Sequence, residues 1–188
     1  MTTLTSRRHT TTTRRLHESQ AFAHTEPRSL EQAVEKAARA LDENMLTPVA
    51  PVEAGLAFQP RTLVAVLAYS YARQIYRSAD IEHSLRCDAN FRQLGCGATP
   101  DARSLRRVRR ENREALMVCL RDALLFVAEQ KLAQGFVAKI NRMNVLEEAS
   151  RRIIMAMFTD SMEMDKDQTT DVPVDVCYLF ANSSRRAH

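Results

Sequence analysis

Six arginines crowd into residues 103–113 with only Glu111 against them, a local charge of +5 in a chain whose whole net charge is +4. A guanidinium is a planar fork of donors that can hold a phosphate or the edge of a guanine at two points, where a lysine acts as a point charge. The chain has 23 arginines and four lysines, so the chemistry on offer is anion recognition, with nucleic-acid phosphate the natural target. Two blander explanations stand beside it: a charge run is often a solvated helix face, and GC-rich coding favours arginine. With Leu105 at 0° and about 100° per residue, Val108 and Asn112 fall beside it and the arginines, Arg109 included, spread over the other side. Arg103, Arg106 and Arg110 lie within about 60° of one another on that wheel. They are the residues expected to reach DNA, with Arg107 and Arg113 flanking them as backbone-positioning contacts. The first turn of such a helix should also offer free N–H groups to a phosphate.

Other chemistry finds less support. Six acids between Asp160 and Asp175 face only Lys166, a local charge of −5. Catalytic carboxylates that clamp two metal ions need rigid placement, and this run reads as a solvated tail. Cys87, Cys96, Cys119 and Cys177 form no C-x-x-C pair. His83, Cys87 and Cys96 lie near one another in sequence, but their spacing fits no common zinc pattern and a fourth ligand is missing, so no metal and no cofactor is expected. Isolated thiols suit a reducing cytoplasm. There is no glycine-rich phosphate loop, no G-x-S-x-G elbow and no dinucleotide fingerprint, so the chain is not expected to be an enzyme.

The elements that must position the arginines can be read from local signals. Pro60 suits a first helical position, and Leu63, Val64, Leu67 and Tyr71 recur at helical spacing, predicting a helix over 60–75. Ser78 is expected to cap a second helix with Asp80 in its first turn, and Asp88 a third that Gly95 and Gly97 stop. Thr99-Pro100-Asp101 reads as a helix start, and the apolar phase then continues through Leu116, Leu120, Ala123, Leu124 and Val127 to Gly135. This predicts a helix over about 102–134 unless it bends near Asn112. Upstream, Ser29-Leu30-Glu31-Gln32 is a capping-box pattern before a stripe of Leu30, Ala33, Val34, Ala37, Leu41 and Met45, hence a helix over 30–45. Downstream, Asn144 with Glu147, followed by Leu146, Ala149, Ile153 and Met157, predicts a last helix to about 163. The fold class is all-α, a helical bundle with a helix-turn-helix-like module at 78–110, in which Leu105 and Val108 are buried against Leu67, Ile81, Leu85 or Phe91.

The run Phe58-Gln59-Pro60-Arg61, Leu67 to Tyr71, Arg77-Ser78, Ile81-Glu82, Phe91-Arg92-Gln93-Leu94, Pro100-Asp101 and Ser104-Leu105-Arg106-Arg107-Val108-Arg109 resembles the N-terminal domain of bacterial insertion-sequence transposases of the InsH type. Val108 stands where that family usually has Phe, and Ala102-Arg103 replaces a more polar pair. The resemblance implies a helical module that helps a transposase recognise the double-stranded DNA of its element's ends. It does not imply catalysis, because the RNase-H-like sheet that places the family's carboxylates has no counterpart after residue 113.

The resulting division is a disordered basic leader at 1–28, a supporting helix and linker at 29–57, the transposase-like module at 58–135, a C-terminal helical extension at 136–163 and an acidic, mostly disordered tail at 164–188. The first seventeen residues hold four arginines and no acid; they read as a solvated leader, with a phosphate-touching arm as the alternative. No stretch resembles a secretory signal or an 18-residue apolar span, so neither export nor a membrane partner is expected, and the protein is placed in the cytoplasm, at the nucleoid if it binds DNA. Val172 to Phe180 is apolar enough for a short strand or a docked extended segment. Two functions remain open. One is a truncated or split transposase that recognises element ends without cutting them; the other is an assembly remnant with no DNA binding, in which the 102–134 and 145–163 helices mediate pairing with itself or with a full-length transposase.

Overall fold

Pro60 opens the helix around which the others gather. The computed structural model describes residues 27–48 and 58–170; the basic leader up to residue 26, most of the 46–57 linker, Asp171 and the Val172 to Phe180 segment lie outside them. Among the described residues there are seven α-helices, one 3-10 turn and no strand. In chain order the helices are α1 Leu30–Arg39, α2 Pro60–Ala72, α3 Ser78–Cys87, α4 Ala89–Leu94, α5 Ala102–Glu111, α6 Arg113–Ala133 and α7 Arg142–Thr170. The all-α expectation therefore holds.

Every residue of α2 from Leu63 to Tyr71 is buried, as befits a helix that is apolar on all sides and packed on all of them. α1, α4, α5, α6 and α7 each pack on it, α3 packs on α4 and α5, and one apolar cluster draws on all seven helices. α2 ends at Ala72, short of the expected 75. Gln74 takes a left-handed φ of 64°, which lets its N–H donate to Tyr71 O at 3.1 Å and the Ile75 N–H to Ser70 O at 2.9 Å, the two bonds of a Schellman turn. Arg152 of α7 donates to the Tyr71 and Ala72 carbonyls at 2.8 Å each, taking up acceptors that the helix end leaves open.

α1 begins as expected, with Ser29 Oγ accepting from the Gln32 N–H at 3.4 Å, while Gln32 Oε1 accepts from the Arg28 N–H. It stops at Arg39 instead of 45 because Arg61 of α2 donates to the Ala38 and Arg39 carbonyls at 2.9 and 2.8 Å. Asp42 then starts a 3-10 turn, Glu43–Met45, by accepting from the Asn44 N–H.

Asp88 and Asp101 cap α4 and α5 as their positions predict. Ser78 does not cap α3; it is the first helical residue and is buried. The left-handed residue that closes α4 is Cys96, with φ 52°, and Gly95 serves packing: a Cβ there would sit 2.9 Å from Leu85 Cδ2.

The 102–134 helix is two helices. Asn112 has φ −116° and ψ 35°, and its carboxamide accepts from the Thr47 N–H at 2.7 Å and donates to Thr47 O at 3.1 Å, so the segment leading from α1 is pinned at the break. The last helix starts at Arg142, with Asn141 Oδ1 accepting from the Met143 N–H, and Asn144 lies inside it. It runs to Thr170, past the expected 163 and into the stretch read as an acidic tail.

Candidate nucleic-acid interface

Leu105 and Val108 are fully buried, in the cluster that also holds Leu67, Ile81, Leu85 and Phe91. α5 is thereby held against α2 and α3 and turns its opposite side to solvent. Arg103 and Arg110 are exposed there, while Arg106 and Arg107 are half-buried; Arg113, exposed, is the first residue of α6. Arg107 Nε donates to Glu111 at 2.8 Å, so its charge is partly neutralised within the helix. Arg106, Arg110 and Arg113 form no ion pair among the described residues.

Arg109 does not join them. It is 5% exposed and donates to Tyr71 Oη at 3.0 Å and to Asp160 Oδ2 at 2.6 Å. The wheel already held the signal: Arg109 lies about 40° from Leu105, inside the arc set by the buried residues, and belongs to the packed face. Asp160 is 2% exposed and also accepts from the Ser78 N–H at 2.9 Å and Ser78 Oγ at 2.5 Å. One carboxylate from α7 therefore satisfies the start of α3 and the inner arginine of α5. Burial disfavours the Arg109 charge, but Tyr71 and Asp160 outweigh it and raise its pKa. Burial pushes the Tyr71 phenol up to about 12, against the pull of Arg109, so it is a neutral hydroxyl at physiological pH. Asp160 is thus no part of a solvated run, and Glu163 after it pairs with Arg77.

The phosphate seat expected at the start of α5 is already occupied. Asp101 Oδ1 accepts from the Ser104 N–H and Glu82 Oε2 from the Ala102 N–H, both at 2.8 Å. Hydrogen bonding to Ser104 holds the Asp101 carboxyl below the usual carboxylate range, against the smaller effect of burial. Two anions stand where a phosphate would, so any phosphate contact falls to the side chains of Arg103, Arg106, Arg110 and Arg113 farther along.

Other arginines are structural. Arg73 lies over the rings of Tyr69 and Phe91, 5.4 and 5.8 Å from their centroids, and pairs with Asp88. The sulfur of Cys87 is 4.0 Å from His83 Nδ1, and no group of three metal-ligating side chains occurs among the described residues. Cys119 is buried and its thiol pushed up to about 12, chiefly by desolvation. Among the described residues no helix is long and apolar enough to cross a membrane.

Residues 21–111 match the family model described as Transposase domain (DUF772). The match spans α1 to α5 and stops at the last residue of α5. No curated protein and no solved structure matches the chain.

Proposed function

We infer, from the transposase-related domain over residues 21–111, that the chain is a DNA-binding helical module of the InsH-type insertion-sequence group, which occupies element ends without cutting them. The observation that carries this reading is the solvent side of α5, where Arg103, Arg106 and Arg110 project from a helix whose other side is locked into the core, with Arg113 exposed just beyond it at the start of α6. In this reading α5 takes the place of a recognition helix, its arginines split between phosphates and base edges, and Arg107 helps to set its register on the backbone. The protein then works in the cytoplasm, at the nucleoid when bound.

Fluorescence anisotropy with duplex DNA of mixed sequence between 50 and 200 mM salt tests it, a range over which several phosphate contacts give a steep loss of affinity. Replacing both Arg106 and Arg110 with alanine should reduce the slope of log K against log salt by about two, one unit for each phosphate released. Neither side chain has an ion-pair partner among the described residues, so thermal melting should be unchanged. An absence of salt-sensitive binding in the natural protein, or an unchanged slope in the double variant, would remove the basis for the reading.

Recognition without cleavage is supported by the engagement of Asp160 and Glu163, two acids of the 160–175 run, in structural contacts. Purified protein with Mg²⁺ or Mn²⁺ should neither nick nor join DNA. Metal-dependent cleavage that persists through purification and is lost on Asp167→Asn would show that it is a nuclease. The assembly reading without DNA binding draws on a different surface, the outer face of α7, and predicts no salt-dependent DNA affinity at all.

A further inference from the structure

α5 is held at three points along its length. Leu105 and Val108 anchor its middle, fully buried. Arg109 reaches Asp160 of α7 near its end. At its start, Glu82 Oε2 of α3 accepts from the Ala102 N–H at 2.8 Å. The middle contact is apolar and sets no direction by itself. Asp101 caps the first turn from within, which fixes the shape of that turn and not its place on α3. Glu82 belongs to another helix, one that Ile81 and Leu85 hold in the core, so its directional bond fixes the place as well. Its carboxylate is half-buried and pairs with Arg86 one turn on. It is therefore a bridge, oriented by Arg86 and engaged on the Ala102 N–H, one residue before Arg103, the first cation of the exposed face.

Taking as premise the reading of α5 as the helix that meets DNA, we propose that Glu82 is a positioning residue for that contact: through the Ala102 N–H it sets the angle at which α5 leaves α3, and so holds Arg103 and Arg106 in register with Arg110. Phosphates along a strand are fixed in spacing, and guanidiniums that must be ordered at the moment of contact cost affinity that preset ones keep. Without the bridge α5 can pivot about Leu105 and Val108, and Arg103, at the released end, moves most. Charge alone predicts the opposite. Glu82 is an acid beside a cationic face, so removing it adds one positive charge to a chain of net +4 and frees Arg86, and both changes favour a polyanion.

Glu82→Ala and Glu82→Gln separate the two effects, because both remove the charge while the glutamine carbonyl still accepts from Ala102. In fluorescence anisotropy with mixed-sequence duplex at fixed salt, Glu82→Ala should bind more weakly than the natural protein in spite of its added charge, and Glu82→Gln at least as tightly as the natural protein. Amide hydrogen exchange without DNA gives an independent measure. The Ala102 N–H should exchange at least about tenfold faster in Glu82→Ala than in the natural protein, the equivalent of losing a hydrogen bond to a charged acceptor, and more slowly in Glu82→Gln than in Glu82→Ala. Equal or tighter binding by Glu82→Ala, a Glu82→Gln variant as weak as Glu82→Ala, or one Ala102 exchange rate shared by all three proteins would each overturn the proposal. A natural protein without salt-sensitive DNA affinity would end the reading of α5 itself, and the exchange rates then still decide whether Glu82 pins the start of the helix.

Discussion

Asp160→Ala should lower the unfolding free energy by about 3–5 kcal/mol, the range found when one partner of a buried ion pair is removed and the other charge is left in place. Arg109 then keeps its charge at 5% exposure with only the Tyr71 hydroxyl as acceptor, and Ser78 loses the acceptor for both its N–H and its hydroxyl. The loss is one of compensation rather than of attraction. A double change, Arg109→Met with Asp160→Leu, should therefore recover a large part of it, since replacing such a pair with apolar groups of similar volume is often close to neutral. Urea unfolding followed by circular dichroism measures both. A single-variant cost below about 1 kcal/mol, within the usual range of exposed ion pairs, would mean that water reaches Arg109 and that the network is not closed.

Leu105→Ala should cost about 2–5 kcal/mol by a different route, because it opens a cavity where α5 meets α2 and α3. Leu105 and Val108 lie on the same face and share neighbours, so combining their alanine variants should give less or more than the sum of the two. The effect should carry into function: a loosened α5 no longer fixes Arg103, Arg106 and Arg110 relative to one another, and DNA affinity should fall although no arginine is changed. A cost below about 0.5 kcal/mol, the scale of a surface substitution, would contradict the burial of Leu105.

What could be read from sequence was what is decided locally. Pro60, Asp88 and Asp101 mark helix starts because a missing donor or a capping carboxylate acts within one turn, whereas the apolar phase runs on past Asn112 and so left the break there only as an alternative to one continuous helix. Helix ends were less legible. α1 stops because of Arg61, 22 residues beyond Arg39, and the last carbonyls of α2 are taken up by Arg152, 80 residues beyond Ala72, and neither partner is announced nearby. The candidate site divides the same way. The cationic face of α5 follows from helical spacing, but the acids that close its first turn do not, because Glu82 comes from α3, 20 residues before Ala102. Asp160 was lost among neighbouring acids, although its intervals of four, seven and eleven from Ala156, Ile153 and Ala149 mark the inner face of a helix.

The contact between Arg109 and Asp160 spans 51 residues, and this sets an order of events during synthesis. α5 leaves the ribosome with an inner arginine that has no carboxylate to meet, and at about 5–20 residues per second the acid follows roughly 3–10 s later. Through that interval Arg109 lacks its carboxylate, and packing Leu105 and Val108 inward carries the cost of an uncompensated buried charge. The stretch that carries the family resemblance therefore gains its full stability only after α6 and most of α7 have been made.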